Sequence, residues 1–393
     1  MFDIKGWVRL GEGEDSRIRD GHLWIYRNEI TDTGGDFSDG DIVWVEDSKR
    51  RKLGSGLVNL QSLISVRMLS RGASDPFSQA AFSERLDRAV KHREHLTCDA
   101  RRLVNAEGDL LPGLIVDQYR NVAVLQLQVL AWEMRKDFVI AEIERVTGAE
   151  TVILKNESPA RKAEGLDRYT EVVKGTLDGN VVITEHGLTI EVDVLSGQKT
   201  GFYVDQRDNR RLVLPYVSKR RVLDCCCYTG AWSLMCRKAG ATHVRGVDAS
   251  QAAVDLARRN AQANAMGDAT EFTVGDIFDD LQHLAADREK FGAIVLDPPS
   301  LARTRKAITG AERGYTHLNK LALGLLEPGG VLVTCSCSHH ISADRFREIL
   351  MKAASLARKR VAHIKTGGQP EDHPSLLGLP ETNYLKCMVL QVP

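Results

Sequence analysis

The chain has 393 residues, 43% of them hydrophobic, which exceeds one ordinary core and suffices for folding, so two or three domains are expected. Its 53 basic and 53 acidic side chains cancel, which excludes a protein that coats nucleic acid through a uniform positive field. Any such contact must come from local patches, and the candidates are residues 49–52, Arg207 with Arg210 and Arg211, residues 219–221, and Arg303, Arg305 and Lys306.

The eight cysteines lack the spacing of a small disulfide framework, no signal peptide opens the chain, and no apolar run nears the ~18 residues of a membrane span. A cytoplasmic protein with no membrane partner is expected. Residues 1–70 alternate apolar and polar positions between turn signals such as Gly34-Gly35 and Asp39-Gly40, which predicts a small all-β barrel or sandwich. Residues 76–96 switch to a helical period, with Phe82, Leu86, Ala89 and Val90 on one face. Residues 101–195 mix strands with one helix at 134–147 and end in a β-hairpin, an α+β segment. From Arg221 onward apolar strands alternate with helices that start at Ala231, Gln251 and His317, and this rhythm predicts an α/β, doubly wound parallel sheet. The poorly patterned, basic stretch LARTRKAITGAERGY after Ser300 is a candidate substrate lid.

Ligands of such sheets bind beyond the carboxyl ends of the strands, and here each of four successive strands ends in an acid: Asp224, Asp248, Asp276 and Asp297. Asp248, at the end of the second strand, suits a ribose diol. NAD would also want G-x-G-x-x-G to bring backbone amides to its pyrophosphate, whereas the loop Cys-Cys-Cys-Tyr-Thr-Gly offers only Gly230. S-adenosylmethionine has no phosphate and fits the sparse loop, with Asp224, Tyr228, Thr229, Gly230 and Pro298 as contacts. Asp276 would accept from the adenine amino group, and Ile277 and Phe278 would pack on the ring. The plain alternative for any single acid is a helix-capping aspartate.

Asp297-Pro298-Pro299-Ser300 makes a stiff turn that could hold a target base, and the fifth strand runs out into Thr334-Cys335-Ser336-Cys337-Ser338-His339-His340 at the same edge. Carbon 5 of cytosine becomes nucleophilic once a thiolate adds to carbon 6, so a thiol here, Cys337, suits a 5-methylation, with Asp297 hydrogen bonding to the base. A zinc site is not expected, because nothing completes the ligand set of the Cys-x-Cys-x-His-His cluster. Cys225, Cys226 and Cys227 read as small packing residues. Two rivals are a methyltransferase acting on an exocyclic amine or ring nitrogen, which would put an aromatic where Ser300 stands, and an inactive RNA-binding ribosome-assembly factor.

The segments GHLWIYRNEI, GDLLPGLIVDQY, GQKTGFYVDQRDNRR, DCCCYTGAWSL, VLDPPSLAR and SCSHH together resemble the bacterial 23S ribosomal RNA 5-methylcytosine methyltransferases that carry an N-terminal PUA domain. The likeness covers nearly the whole chain. It implies a PUA RNA-binding barrel at 1–73, a central α+β domain with a β-hairpin at 74–190, and a class I, Rossmann-like methyltransferase domain at 191–393. It further implies S-adenosylmethionine as cofactor and 23S ribosomal RNA, naked or in an early assembly particle, as partner; a homodimer is left open. The family's nucleophile is similar to the serine-flanked Cys337, with Cys335 as runner-up. The GQKTGFYVDQRDNR segment would set Gln198, Thr200, Phe202, Asp205 and Arg210 around the cofactor.

Overall fold

The computed structural model describes residues 2–74, 76–302 and 307–393, and divides into two compact units. The first comprises residues 1–183, 192–204 and 371–382, and the second comprises 184–191, 205–370 and 383–393. Arg303, Thr304, Arg305 and Lys306 of the expected lid lie outside the described residues.

The first unit opens with a six-stranded sheet in the order Trp24–Tyr26, Ile64–Met68, Lys52–Val58, Ile42–Glu46, Ile4–Leu10, Ile30–Gly35. Alternation along these strands sends Val8, Leu10, Val43, Val45 and Val66 into one apolar cluster. The linking helix Gln79–His92 starts where the Ser78 hydroxyl accepts from the Ala81 amide, and buries Phe82, Leu86 and Ala89 at intervals of four and three residues. Burial of Phe82 and Leu86 contributes about 1.5–3 kcal/mol each. A five-stranded sheet follows, running Tyr169–Lys174, Thr151–Asn156, Val122–Leu127, Leu114–Tyr119, Ala100–Asn105. The helix expected at 134–147 is present at Lys136–Thr147, preceded by a short helix Leu130–Glu133. The expected hairpin pairs Val181–Glu185 with Leu188–Val192.

The second unit holds the predicted doubly wound sheet. Its strands are β1 (Arg221–Cys225), β2 (His243–Asp248), β3 (Thr270–Val274), β4 (Phe291–Leu296), β5 (Leu326–Ser336), β6 (Ala362–Gly368) and β7 (Lys386–Gln391). They lie in the order β3-β2-β1-β4-β5-β7-β6, with β1 to β5 parallel and β7 antiparallel to both neighbours. Helices α1 (Ala231–Lys238), α2 (Gln251–Ala263), α3 (Ile277–Ala286), α4 (Ile308–Leu325) and α5 (Ala343–Leu356) alternate with the strands. Strands buried on both faces read as continuous apolar runs, and β4, FGAIVL, is buried along its entire length.

One helix differs from expectation. α4 begins at Ile308, nine residues before His317, so the second half of the expected lid is helical. Gly310 and Gly314 lower its propensity enough to hide the period, while Ala311, Tyr315, Leu318 and Ala322 bury one face. The basic patches also change meaning. Arg207 and Arg210 are buried, and Arg220 donates to the carbonyls of Gly292 and Gly329, so these cations serve the fold. Residues 49–52 remain exposed, with Lys52 lying 4.0 Å from the Trp44 ring centroid.

Candidate active site

β1 and β2 are adjacent and parallel, and both run out toward the turn after β1. That turn is tightly folded: Cys226, Tyr228 and Gly230 have φ of 63°, 49° and 84°. At Gly230 a Cβ would sit 2.9 Å from the Phe272 ring and 3.1 Å from Ala257, so only glycine fits without a shift. Asp248 holds the turn in place. Its Oδ2 accepts from the Tyr228 amide and its Oδ1 from the Ser250 amide, both at 2.9 Å. Asn260 on α2 adds a bond to the Thr229 carbonyl at 3.1 Å.

Several oxygens around this turn are buried without a partner among the described residues: Asp224 Oδ1, Thr229 Oγ1 and Asp205 Oδ1. Each such atom costs about 1–3 kcal/mol if nothing completes it, so the set fits a ligand with hydrogen-bond donors, such as an α-ammonium group. The remaining oxygens are engaged: Asp224 Oδ2 accepts from Ser233 at 2.6 Å, and Asp205 Oδ2 from the Tyr384 hydroxyl at 2.7 Å. Burial raises the Asp224 carboxyl to about 7.

Asp276 has a second job. Its Oδ1 caps α3 by accepting from the Phe278 and Asp279 amides, so the plain capping reading describes its observed contacts. Ile277 is buried, and the Phe278 ring stacks on His317 at 6.2 Å. Arg210 is buried in an ion pair with Glu185 at 2.6 Å, which makes it a brace of this unit. Gln198, Thr200 and Phe202 belong to the first unit. There Gln198 is exposed and accepts from Tyr203, Thr200 donates to Asp117 at 2.6 Å, and Phe202 is buried.

β4 lies between β1 and β5, so the turn after it faces both. Asp297 begins that turn, and its Oδ2 accepts from Gln206 at 2.9 Å and from the Trp232 indole at 3.2 Å. Burial, with the Asp205 carboxylate nearby, raises Asp297 to about 7. Pro298 is buried beside it. The two thiols of the fifth strand separate clearly. Cys335 lies within β5, fully buried and opposite Cys387 of β7; that contact and burial push its pKa well up. Cys337 lies one residue past the strand end and is half-buried. The next residue, Ser338, ties the region together, because its hydroxyl lies 3.0 Å from both the Ser300 and the Tyr315 hydroxyls. The Asp-Pro-Pro-Ser turn and the cysteine loop are thus one connected structure.

Sequence reasoning missed Gln206, Trp232, Ser338, Tyr315 and Lys386. A lone lysine at the head of the apolar run KCMVLQ was the available signal for the last of these. Among the described residues no cluster of histidine, cysteine or acidic side chains could hold a metal, and no helix is long and apolar enough to cross a membrane.

A seven-stranded sheet in this order, with carboxylates and an ordered turn at its carboxyl edge, defines a class I methyltransferase. Residues 8–71 match a PUA-like domain, and residues 137–374 match the S-adenosylmethionine-dependent methyltransferase family. The chain is 36% identical to a ribosomal RNA large subunit methyltransferase I of Photobacterium profundum, across 96% of this chain and 97% of that one. It is also 36% identical to the like-named protein of Shewanella frigidimarina, across 98% and 99%. Among solved structures, a chain described as a SAM-dependent methyltransferase of Streptococcus mutans covers 98% of this chain and all of its own, with a TM-score of 0.85 at 18% identity. A methyltransferase complexed with SAH reaches 0.86 at 19% identity, across 99% of this chain and 100% of that one. The chain belongs to the S-adenosylmethionine-dependent methyltransferase family, and S-adenosylmethionine is its cofactor.

Proposed function

We propose that the protein methylates carbon 5 of a cytosine in large-subunit (23S) ribosomal RNA, in the cytoplasm, through a covalent adduct on Cys337. The observation that carries this reading is the position of Cys337: half-buried, just beyond β5, in a loop joined through Ser338 to the turn that begins with Asp297. The PUA-like domain and the names of the whole-length relatives support ribosomal RNA as the substrate.

Bound S-adenosylmethionine supplies an electrophilic methyl group. Asp248 shapes the turn that would carry its ribose, and Asp224 and Thr229 offer oxygens to its amino-acid end. The chemistry of the chain itself begins at sulfur. The Cys337 thiolate forms a bond to carbon 6, and the electron pair of the 5,6 double bond moves toward carbon 5 and the ring nitrogen N3. Asp297, which keeps its proton to about pH 7, donates to N3 and balances the charge that collects there. After methyl transfer, which leaves S-adenosylhomocysteine, the carbon 5 proton is lost to solvent, the 5,6 double bond re-forms and expels the thiolate, and N3 returns its proton to Asp297.

RNA carrying 5-fluorocytosine tests this directly, because fluorine at carbon 5 cannot leave as a proton and the adduct stalls. Mass spectrometry after incubation with S-adenosylmethionine should locate the RNA on Cys337. Attachment at Cys335 would move the nucleophile by two residues. Methyl transfer without any adduct would replace this reading with methylation of an amine or ring nitrogen.

A further inference from the structure

Cys337 has a cationic neighbour that none of these steps uses. Lys386 opens β7, and the antiparallel register sets it opposite Ser336, the residue before Cys337. Its side chain is buried. Its ammonium donates at 2.7 Å to the carbonyl of Ser338, the residue after Cys337, and at 2.7 Å to the carbonyl of Tyr384. Both partners are neutral, and among the described residues no carboxylate pairs with Lys386. An ammonium group has three donors, so these carbonyls orient the charge without neutralising it. Holding such a charge away from water is unfavourable unless an opposite charge develops beside it.

Four other titratable groups described in this corner, Tyr315, Cys335, Asp297 and His339, supply no buried cation. Tyr315 touches Ser338 and is held protonated by burial, and Cys335 is held protonated by Cys387 and burial. Asp297 is an acid, and the His339 ring is exposed and leans on Tyr384 at 5.4 Å. Burial pulls Lys386 down to about 8, while the Cys337 thiol acts in the opposite direction and favours the charged amine.

We propose that Lys386 is a positioning residue whose buried ammonium keeps Cys337 as a thiolate before RNA arrives. This rests on Cys337 being the nucleophile. A nearby cation lowers a thiol's proton affinity, and the thiolate is the form that adds to carbon 6. The antiparallel last strand is what delivers the charge, since its first residue lies level with the loop where β5 ends.

The test uses the full chain without RNA. Iodoacetamide labelling of Cys337, followed site by site in mass spectra across pH, reads its thiolate fraction; the thiolate absorbance difference between wild type and Cys337→Ser reads it independently. We expect the Cys337 midpoint to lie at least one pH unit below the ordinary thiol value of about 8.5. Lys386→Met should slow labelling at pH 7 by about tenfold or more, while Lys386→Arg stays within about threefold of wild type. An ordinary midpoint in the wild-type protein overturns the proposal whether or not the methionine variant folds, as does an unchanged profile in a folded Lys386→Met protein. The 5-fluorocytosine adduct separates the two ideas. An adduct on Cys337 with an ordinary thiol midpoint removes only the role of Lys386, whereas its absence from Cys337 removes the nucleophile.

Discussion

Two cysteine-rich turns leave the same edge of one sheet, with only β4 between their strands, and the chain treats them in opposite ways. After β1, burial pushes Cys225, Cys226 and Cys227 all upward, and the carboxylates of Asp224 and Asp248 add to the effect. Within β5, Cys335 is equally held protonated, yet Cys337 stands outside the strand, beside the Ser338 carbonyl that accepts from the buried Lys386 ammonium. The difference teaches that thiol chemistry here depends on where the backbone leaves the sheet. Two residues separate a fully buried thiol from a half-buried one.

The largest effect should come from breaking that contrast directly. Cys337→Ala is expected to lower methyl transfer by about a thousandfold or more, with S-adenosylmethionine affinity nearly unchanged, because the thiol acts on the base. Cys335→Ala should stay within about tenfold of wild type. Labelled-methyl incorporation alongside calorimetry checks both, and the reverse ranking would dissolve the comparison.

A smaller effect sharpens the other turn. Asp248→Ala removes the acceptor of the Tyr228 and Ser250 amides, and should weaken cofactor binding by about 1–3 kcal/mol. Unchanged affinity by calorimetry would mean that this acid neither holds the turn nor meets the ligand.

A further effect is a pH dependence of stability. Burial raises Asp224 from 3.8 to about 7, so the folded chain binds this proton more tightly than the unfolded one. The stabilisation linked to it is complete below about pH 4 and is lost as pH rises through about 7. Chemical unfolding from pH 5 to 8 should show that decline, and Asp224→Asn should make it shallower, with Asp297, also raised to about 7, contributing the remainder. An equal slope in the variant would assign the proton to another group.

Parts of the second unit were legible in the sequence: FGAIVLD contains β4, buried on both faces and so a continuous apolar run, and HVRGVD forms β2 as read. Acids at strand ends were legible for the same reason. What they do was less so, since Asp276 was expected to meet adenine and caps a helix, a contact the spacing fits equally well. The start of α4 was hidden by its glycines. Lys386 was hidden more deeply, because its meaning comes from the antiparallel pairing of β7 with β5, a contact made across 50 residues of chain and invisible to local pattern.

The way the chain is divided between its two units has a consequence for its birth on the ribosome. Residues 184–191 leave the first unit to join the second, where the Thr189 and Glu191 amides bond to Asn264 and Asn260, and residues 371–382 return to the first. Neither unit has all of its residues until residue 382 has been made. The first unit can close only once residues 371–382 are made and the second only once β7 is made, and no single cut would yield two whole halves.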